Sequence, residues 1–246
     1  MTRASWSLGV SLLCYFSGFA LLISVGILAQ LFFQFLGLVI TELCLLVVAV
    51  VPVILWITSK TGDRDTPSLQ SPPLTTELVE ELGLRPIKGK LGVLTDILMG
   101  ILWGILTLFL AIPIVALWTW LITPPPTYLE AMSHALTPSN PFELVMWILF
   151  MIFIVGFCEE VFARSVLQQG SENYLGRWGG LLLASALFAG LHLDIYRFGP
   201  IFFISTLWGL RFQKSGYSLY TTWAAHSTNN SIAIIMLYLA QFMGLI

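Results

Sequence analysis

The segment Cys158-Glu159-Glu160-Val161-Phe162-Ala163-Arg164 puts two adjacent carboxylates and a guanidinium inside an apolar run. A charge at the centre of a membrane helix costs roughly 2.5–3.5 kcal/mol, so three unpaired ones cost on the order of 7–10 kcal/mol. That is the size of a whole domain's net stability, so pairing or a function is required. Helical spacing supplies one pairing: Glu160 and Arg164 stand at i and i+4, in the favourable order for an ion pair. Glu159 is rotated about 100° from Glu160 and has no partner on its own helix, the condition of a carboxylate free to act as a general base. The plainer reading of the same triplet is a charge cluster snorkelling at the membrane interface. A Cys158 thiol nucleophile is the least supported reading, because the sequence offers it no positioned base.

Two further spacings add chemistry. Phe188 and His192 share a helix face at i and i+4, so the ring can pack beside the imidazole. By itself His192 also reads as a histidine bonded between helices. His226 and Asn230 have the same spacing, and a ring N–H and an amide N–H₂ on one face can donate to a single oxygen, as an oxyanion requires. Asn229 is also one turn from His226, and Ser, Thr and Asn commonly serve as polar glue between membrane helices. The ionisable residues at depth are expected to cluster in the C-terminal half.

The ordered trio EExxxR (Glu159 to Arg164), FxxxH (Phe188 to His192) and HxxxN (His226 to Asn230) resembles the CPBP family. These are CAAX proteases and bacteriocin-processing enzymes, related to type II CAAX prenyl endopeptidases. Leu82-Gly83-Leu84-Arg85 is similar to the start of that family's core, and the resemblance extends from there to the C-terminus. It implies an all-helical membrane protease with a water-accessible cavity opening to the cytoplasm. By position, Glu159 and His192 would activate a water, and His226 with Asn230 would form the oxyanion hole. Glu160, Arg164 and Phe188 would support them. Peptides or prenylated proteins are the substrates implied. Zinc on Glu159, His192 and His226, with Glu160 as base, is the alternative. The sequence lacks HExxH and sets Arg164 a turn away, so metal-free water activation is favoured and no cofactor is expected.

These residues need helices in lipid to position them. Of 246 residues, 57% are apolar and only 10% charged, against about 25% charged in soluble domains. Apolar stretches predict seven spans: 8–29, 36–58, 91–122, 142–167, 178–193, 200–213 and 218–246. The sixth is short for a crossing. Pro113 can kink or divide the third, which makes eight spans the alternative. The expected organisation is all-α and polytopic: two spans (1–58), a cytoplasmic linker with a short interfacial helix (59–90), and a catalytic core (91–246). In the linker, Thr75 or Thr76 is the expected helix cap and Gly83 with Pro86 the stop. The start of the linker, rich in Ser, Thr, Pro and Gly, reads as disordered.

Lys60, Arg64, Arg85, Lys88 and Lys90 make the linker cytoplasmic by the positive-inside rule. Arg3, Arg177, Arg211 and Lys214 then fall inside and Arg197 alone outside, with the N-terminus in. The first apolar run continues without an A-x-A site and reads as a retained span rather than a signal peptide. Cys14, Cys44 and Cys158 form no CxxC and read as small buried apolar residues. A net charge of −2 excludes a phosphate-neutralising stripe, and so nucleic acid. Membrane lipid is the expected surrounding, in a bacterial or archaeal cell membrane. A proton-coupled transporter and an idle scaffold or immunity protein are the rival readings. The absence of inverted repeats speaks against the transporter.

Overall fold

The computed structural model describes residues 6–21, 23–24, 34–62, 74–84 and 90–245. Its elements are helices throughout: α1 (Leu8–Leu21), α2 (Gln34–Gly62), α3 (Leu74–Glu81), α4 (Lys90–Leu121) and α5 (Pro126–Leu136). A long run follows, made of α6 (Pro141–Phe150), a π-helical turn Met151–Val155, α7 (Gly156–Glu160), a second π-helical stretch Val161–Gln168, and α8 (Gln169–Leu191). The bundle is completed by α9 (Ile195–Lys214) and α10 (Leu219–Phe242).

Among the described residues, three helical runs are long and apolar enough to cross a membrane: Val39–Thr58, Gly92–Leu121 and Pro141–Leu191. The exterior is apolar, with Leu102, Phe109 and Leu117 of α4 turned outward, while Glu160, Arg164, Gln168 and Glu172 are buried inside. A chain solvated by lipid has this distribution, because backbone and polar groups must be satisfied within the bundle. The chain is a membrane-integral, all-helical protein.

Several expectations are refined. α4 runs unbroken through Pro113, so the third stretch does not divide. The sixth stretch extends over Ile195–Lys214, long enough to be a full-length helix. The fourth and fifth stretches are separate helices, as expected, meeting in a tight turn at Gly176, whose φ of 72° is open to glycine. There the chain folds back. Gly180 lies against the backbone of Glu172 with no room for a Cβ, whereas a straight helix would separate the two by about 12 Å. α3 begins at Leu74, so Thr75 and Thr76 lie inside its first turn and do not cap it. The stop at Gly83, φ 72°, is as expected. The linker is expected to start at Ser59, but residues 59–62 are the last turn of α2. Residues 63–73, which hold the stretch read as disordered and Arg64, lie outside the described residues, as do Arg3, Arg85, Pro86 and Lys88.

Two close approaches hold α10, the helix of His226, against its neighbours. A Cβ on Gly104 of α4 would lie 2.5 Å from the Ala225 carbonyl oxygen, and one on Gly156 of α7 would lie 2.5 Å from Ser227 Oγ. Small residues let helices meet in this way where lipid supplies no hydrophobic drive. α3 docks from the side: Ser165 Oγ donates to the Leu82 carbonyl at 2.7 Å, and Leu219 N–H donates to Gly83 O at 3.0 Å.

The two ends of the bundle differ. Trp6, α3, the Gly176 bend and the α9–α10 turn gather at one end, linked by Asn173 to Trp6 O and by Arg177 to Gln213. Arg211 and Lys214 are in the last turn of α9 beside that turn. At the other end Trp118 Nε1 donates to Ile195 O at 2.9 Å, and Arg197 is the basic residue there. The charge rule predicts that Arg197 faces outward. In the Arg197→Cys protein, a membrane-impermeant thiol reagent should label intact cells, and labelling only after permeabilisation would reverse the orientation.

Candidate active site

The Glu159–Glu160 pair sits between two π-helical turns. The Gly156 N–H donates to Met151 O, five residues back, instead of four. Such widened turns re-aim side chains and recur at functional sites. Here the two carboxylates diverge. Glu160 points into the bundle and is fully buried, while Glu159 lines a cavity of about 260 Å³.

Both oxygens of Glu160 are engaged. Oε2 accepts from Arg164 Nε at 3.0 Å, the ion pair read from spacing, and Oε1 meets His226 Nδ1 at 3.1 Å. Arg164 in turn donates to Gln168 Oε1 at 3.2 Å and to Ser205 Oγ at 2.8 Å. Gly209 admits this contact: a Cβ there would lie 3.0 Å from Arg164 Nη1. The chain of polar groups continues through Gln168 to Glu172, which also accepts from Gln213 at 2.8 Å and Tyr217 at 2.7 Å.

This network orients His226. With Nδ1 turned to Glu160, Nε2 is the nitrogen on the cavity side, 3.6 Å from Glu159 Oε2. Trp208 covers the ring at 4.5 Å between centroids, and Phe188 meets it edge-on at 6.3 Å. His192 is held by its own helix end. Its Nδ1 lies 3.1 Å from Phe188 O, so Nδ1–H donates there and Nε2 is left as an acceptor. Phe188 also packs against this ring edge-on at 5.1 Å. Glu159, His192, His226, Asn229 and Asn230 line the one cavity, with Phe188 among its walls. Glu160 and Arg164 stand behind His226 and do not line it. A role for Glu160 as a base therefore has no free oxygen to work with. Asn229 Nδ2 is 3.5 Å from Thr107 Oγ1, a contact that draws its amide toward α4. Among the described residues, no group of three His, Cys, Asp or Glu side chains is arranged to hold a metal ion.

Two acids overturn the expectation that depth ionisables keep to the C-terminal half. Asp96 of α4 is buried and accepts from Ser218 Oγ at 2.5 Å. Glu42 lies on α2, which packs against α7, and its Oε2 is buried with no hydrogen-bond partner among the described residues. Neither has a charged partner at helical spacing, so the pattern of spacings passes over them. The one available signal was an acid inside an apolar run.

The cavity lining extends through Ile201 to Arg197 and Leu136. α5 packs at that end, where its Tyr128 donates to Asp194 at 2.5 Å while its ring packs on Tyr196 at 4.6 Å. Arg197 Nε donates to the same Asp194 oxygen at 2.6 Å. The cavity thus leads away from the basic end of the bundle. The charge rule and the cytoplasmic opening implied by the resemblance pull apart at this point.

Residues 141–232 match the family described as type II CAAX prenyl endopeptidase Rce1-like. That segment carries Glu159, His192, His226 and Asn230 together, in agreement with the resemblance read from their spacing. An uncharacterized protein of Mycoplasma capricolum subsp. capricolum is 27% identical over 103 residues, covering 41% of this chain and 30% of that protein. This chain therefore aligns with less than a third of that relative's length. No solved structure matches the chain.

Burial works against ionising Asp194, but hydrogen bonds from Tyr128 and Arg197 outweigh it and hold the carboxyl below its ordinary 3.8. Burial and the bond to Asp194 push the Tyr128 hydroxyl up to about 12. A lowered carboxyl contributes stability that is present above its ordinary pKa and lost as pH falls. The protection of residues 126–136 against hydrogen exchange, taken relative to the intrinsic rate at each pH, should be steady from pH 7 to pH 5 and fall below about pH 3.8. A second prediction concerns the buried pair. Removing one partner of a buried ion pair costs about 3–5 kcal/mol, so Arg164→Leu should lower thermal stability markedly, and Glu160→Gln,Arg164→Leu together should lower it less.

Proposed function

We propose that the chain is an intramembrane endopeptidase that hydrolyses a peptide bond of a membrane-associated substrate by direct attack of water. The observation that carries this is the meeting of Glu159, His192, His226 and Asn230 at one cavity inside the segment that matches an endopeptidase family. Substrates processed at a CAAX-type C-terminus fit that family, and the peptide must reach the cavity from the membrane.

In this reading, water sits between Glu159 and His192 Nε2, and Glu159 takes its proton as the oxygen attacks the carbonyl carbon. The oxyanion then forms opposite His226 Nε2–H and the Asn230 amide, donors held before the charge develops. Glu160 accepts from Nδ1–H of His226, and it is the imidazolium, protonated on both nitrogens between two carboxylates, that turns an Nε2–H donor into the cavity. Return of the proton from Glu159 to the departing amine breaks the C–N bond and leaves a carboxylate and a new N-terminus. The buried acids Glu42 and Asp96 weaken one argument against the proton-transporter reading, so cleavage itself must be measured.

Glu159→Gln keeps the shape and loses the base, and turnover should fall about 10²–10⁴-fold. Asn230→Ala should lower kcat about 10²–10³-fold with KM nearly unchanged. Asn229→Ala should cost far less. Metal stripping and added zinc should leave turnover as it was, and loss on stripping with recovery on stoichiometric zinc would recast Glu159, His192 and His226 as ligands. Wild-type turnover in both Glu159→Gln and Asn230→Ala would sink the proposal.

A further inference from the structure

The cavity that holds Glu159, His192, His226 and Asn230 has a second, chemically different end. Two of its walls are α9 and α10, which run antiparallel because a short turn joins them. The α9 wall runs from Trp208 to Arg197, and the α10 wall from His226 to Leu237. Trp208 lies against His226, so these two residues mark the reacting end. Arg197 and Leu237 each stand eleven positions along from them on their own helix, about 16 Å at the rise of an α-helix. Both walls give the same length. Between the ends the lining is mostly apolar, with Ile201 and Ile204 facing Ala233 and Ile234.

Arg197 is the one arginine or lysine that lines the cavity among the described residues. Its Nε donates to Asp194 Oδ2 at 2.6 Å, and the Tyr128 hydroxyl lies beside the guanidinium. An arginine has five N–H donors, so these two partners leave most of them open. The side chain is 42% exposed, which makes those donors reachable. Asp194 does not use up the cation's charge. Its own charge is shared with the Tyr196 and Arg197 N–H groups at the start of α9 and with the Tyr128 hydroxyl. Asp194 thus holds the fork by one corner and leaves its other edge for a planar anion, the geometry in which arginine meets a carboxylate.

A peptide has one anion whose presence does not depend on its sequence, the carboxylate at its C-terminus. With the scissile carbonyl between the levels of His226 and Asn230, about 10–16 Å separate it from the Arg197 end. An extended chain covers about 3.3–3.6 Å per residue, and an ion pair spans up to about 4 Å. Roughly two to four residues therefore fit beyond the scissile bond. We infer that Arg197 is a specificity-determining residue: it binds the free C-terminal carboxylate of the substrate, so that cleavage releases a short C-terminal peptide. The cleavage in this inference rests on the endopeptidase reading, whereas the carboxylate site does not.

The test uses a pool of N-terminally acylated, sequence-randomised peptides, made once as free acids and once as C-terminal amides. Offered to the purified full-length protein in lipid nanodiscs, the acids should be cut with kcat/KM about 10–10²-fold above the amides, the scale of a hydrogen bond to a charged group. Most of the difference should lie in KM, and mass spectrometry should place the cuts within that short distance of the end. Arg197→Gln should cut acids and amides alike, and Arg197→Lys should restore part of the preference. Each variant is its own control, because a loss of folding lowers both rates together. A second arm needs no turnover: Glu159→Gln protein should bind the acids in preference to the amides, and the Glu159→Gln,Arg197→Gln protein should bind both equally. Equal cleavage and equal binding of acids and amides by proteins that retain Arg197, or a preference that survives Arg197→Gln, overturns the carboxylate site. Arg197-dependent binding of the acids by a protein that cleaves nothing leaves the site standing and defeats the endopeptidase reading alone.

Discussion

Glu160 holds a buried arginine with one oxygen and a histidine with the other, and the arrangement of the site follows from that single carboxylate. Two charges taken out of water must each find a partner, or the helix cannot stay in the bundle. Arg164 is the partner that permits a full charge on Glu160 at zero exposure. A charged Glu160 then fixes which nitrogen of His226 faces inward. The ring cannot rotate without stranding a buried anion, so Nε2 stays on the cavity side. Gly209, Ser205 and Gln168 exist in this account to let the guanidinium fit and to occupy its remaining N–H groups.

The neighbouring carboxylate has the opposite fate because the helix turns between them. Glu160 is spent on structure. Glu159 is turned to the cavity, where it meets His226 Nε2 and space for a small molecule. Two adjacent glutamates thus divide into a scaffold and a reactive group. π-helical turns on both sides set the angle at which they emerge. The same inside-out economy governs the fold, with leucine and phenylalanine toward lipid and glutamine, glutamate and arginine within.

Much of this was legible in the sequence wherever the contact was local. The Glu160–Arg164 pair, the Phe188–His192 packing and the shared face of His226 with its asparagines all follow from one helical repeat. The C-terminal stop of α3 followed from Gly83. What sequence spacing could not supply was contact between distant helices. Glu160 finds His226 across 66 positions, so no periodicity joins them. The turn between the fourth and fifth stretches was legible because polar residues 168–173 and Gly176 interrupt the apolar run there. The direction of the cavity was missed: it depends on α5 and Asp194, loop-end residues with no charge motif in common.

The central claim is that water, and no side chain, attacks the peptide carbonyl. The most direct measurement is a single turnover in ¹⁸O-water with hydroxylamine present to trap any acyl-enzyme. The account predicts one ¹⁸O in the newly formed carboxylate, no hydroxamate product, and no acylated peptide of the enzyme by mass spectrometry. A hydroxamate, or substrate found covalently attached at Cys158 or any other residue, would contradict it.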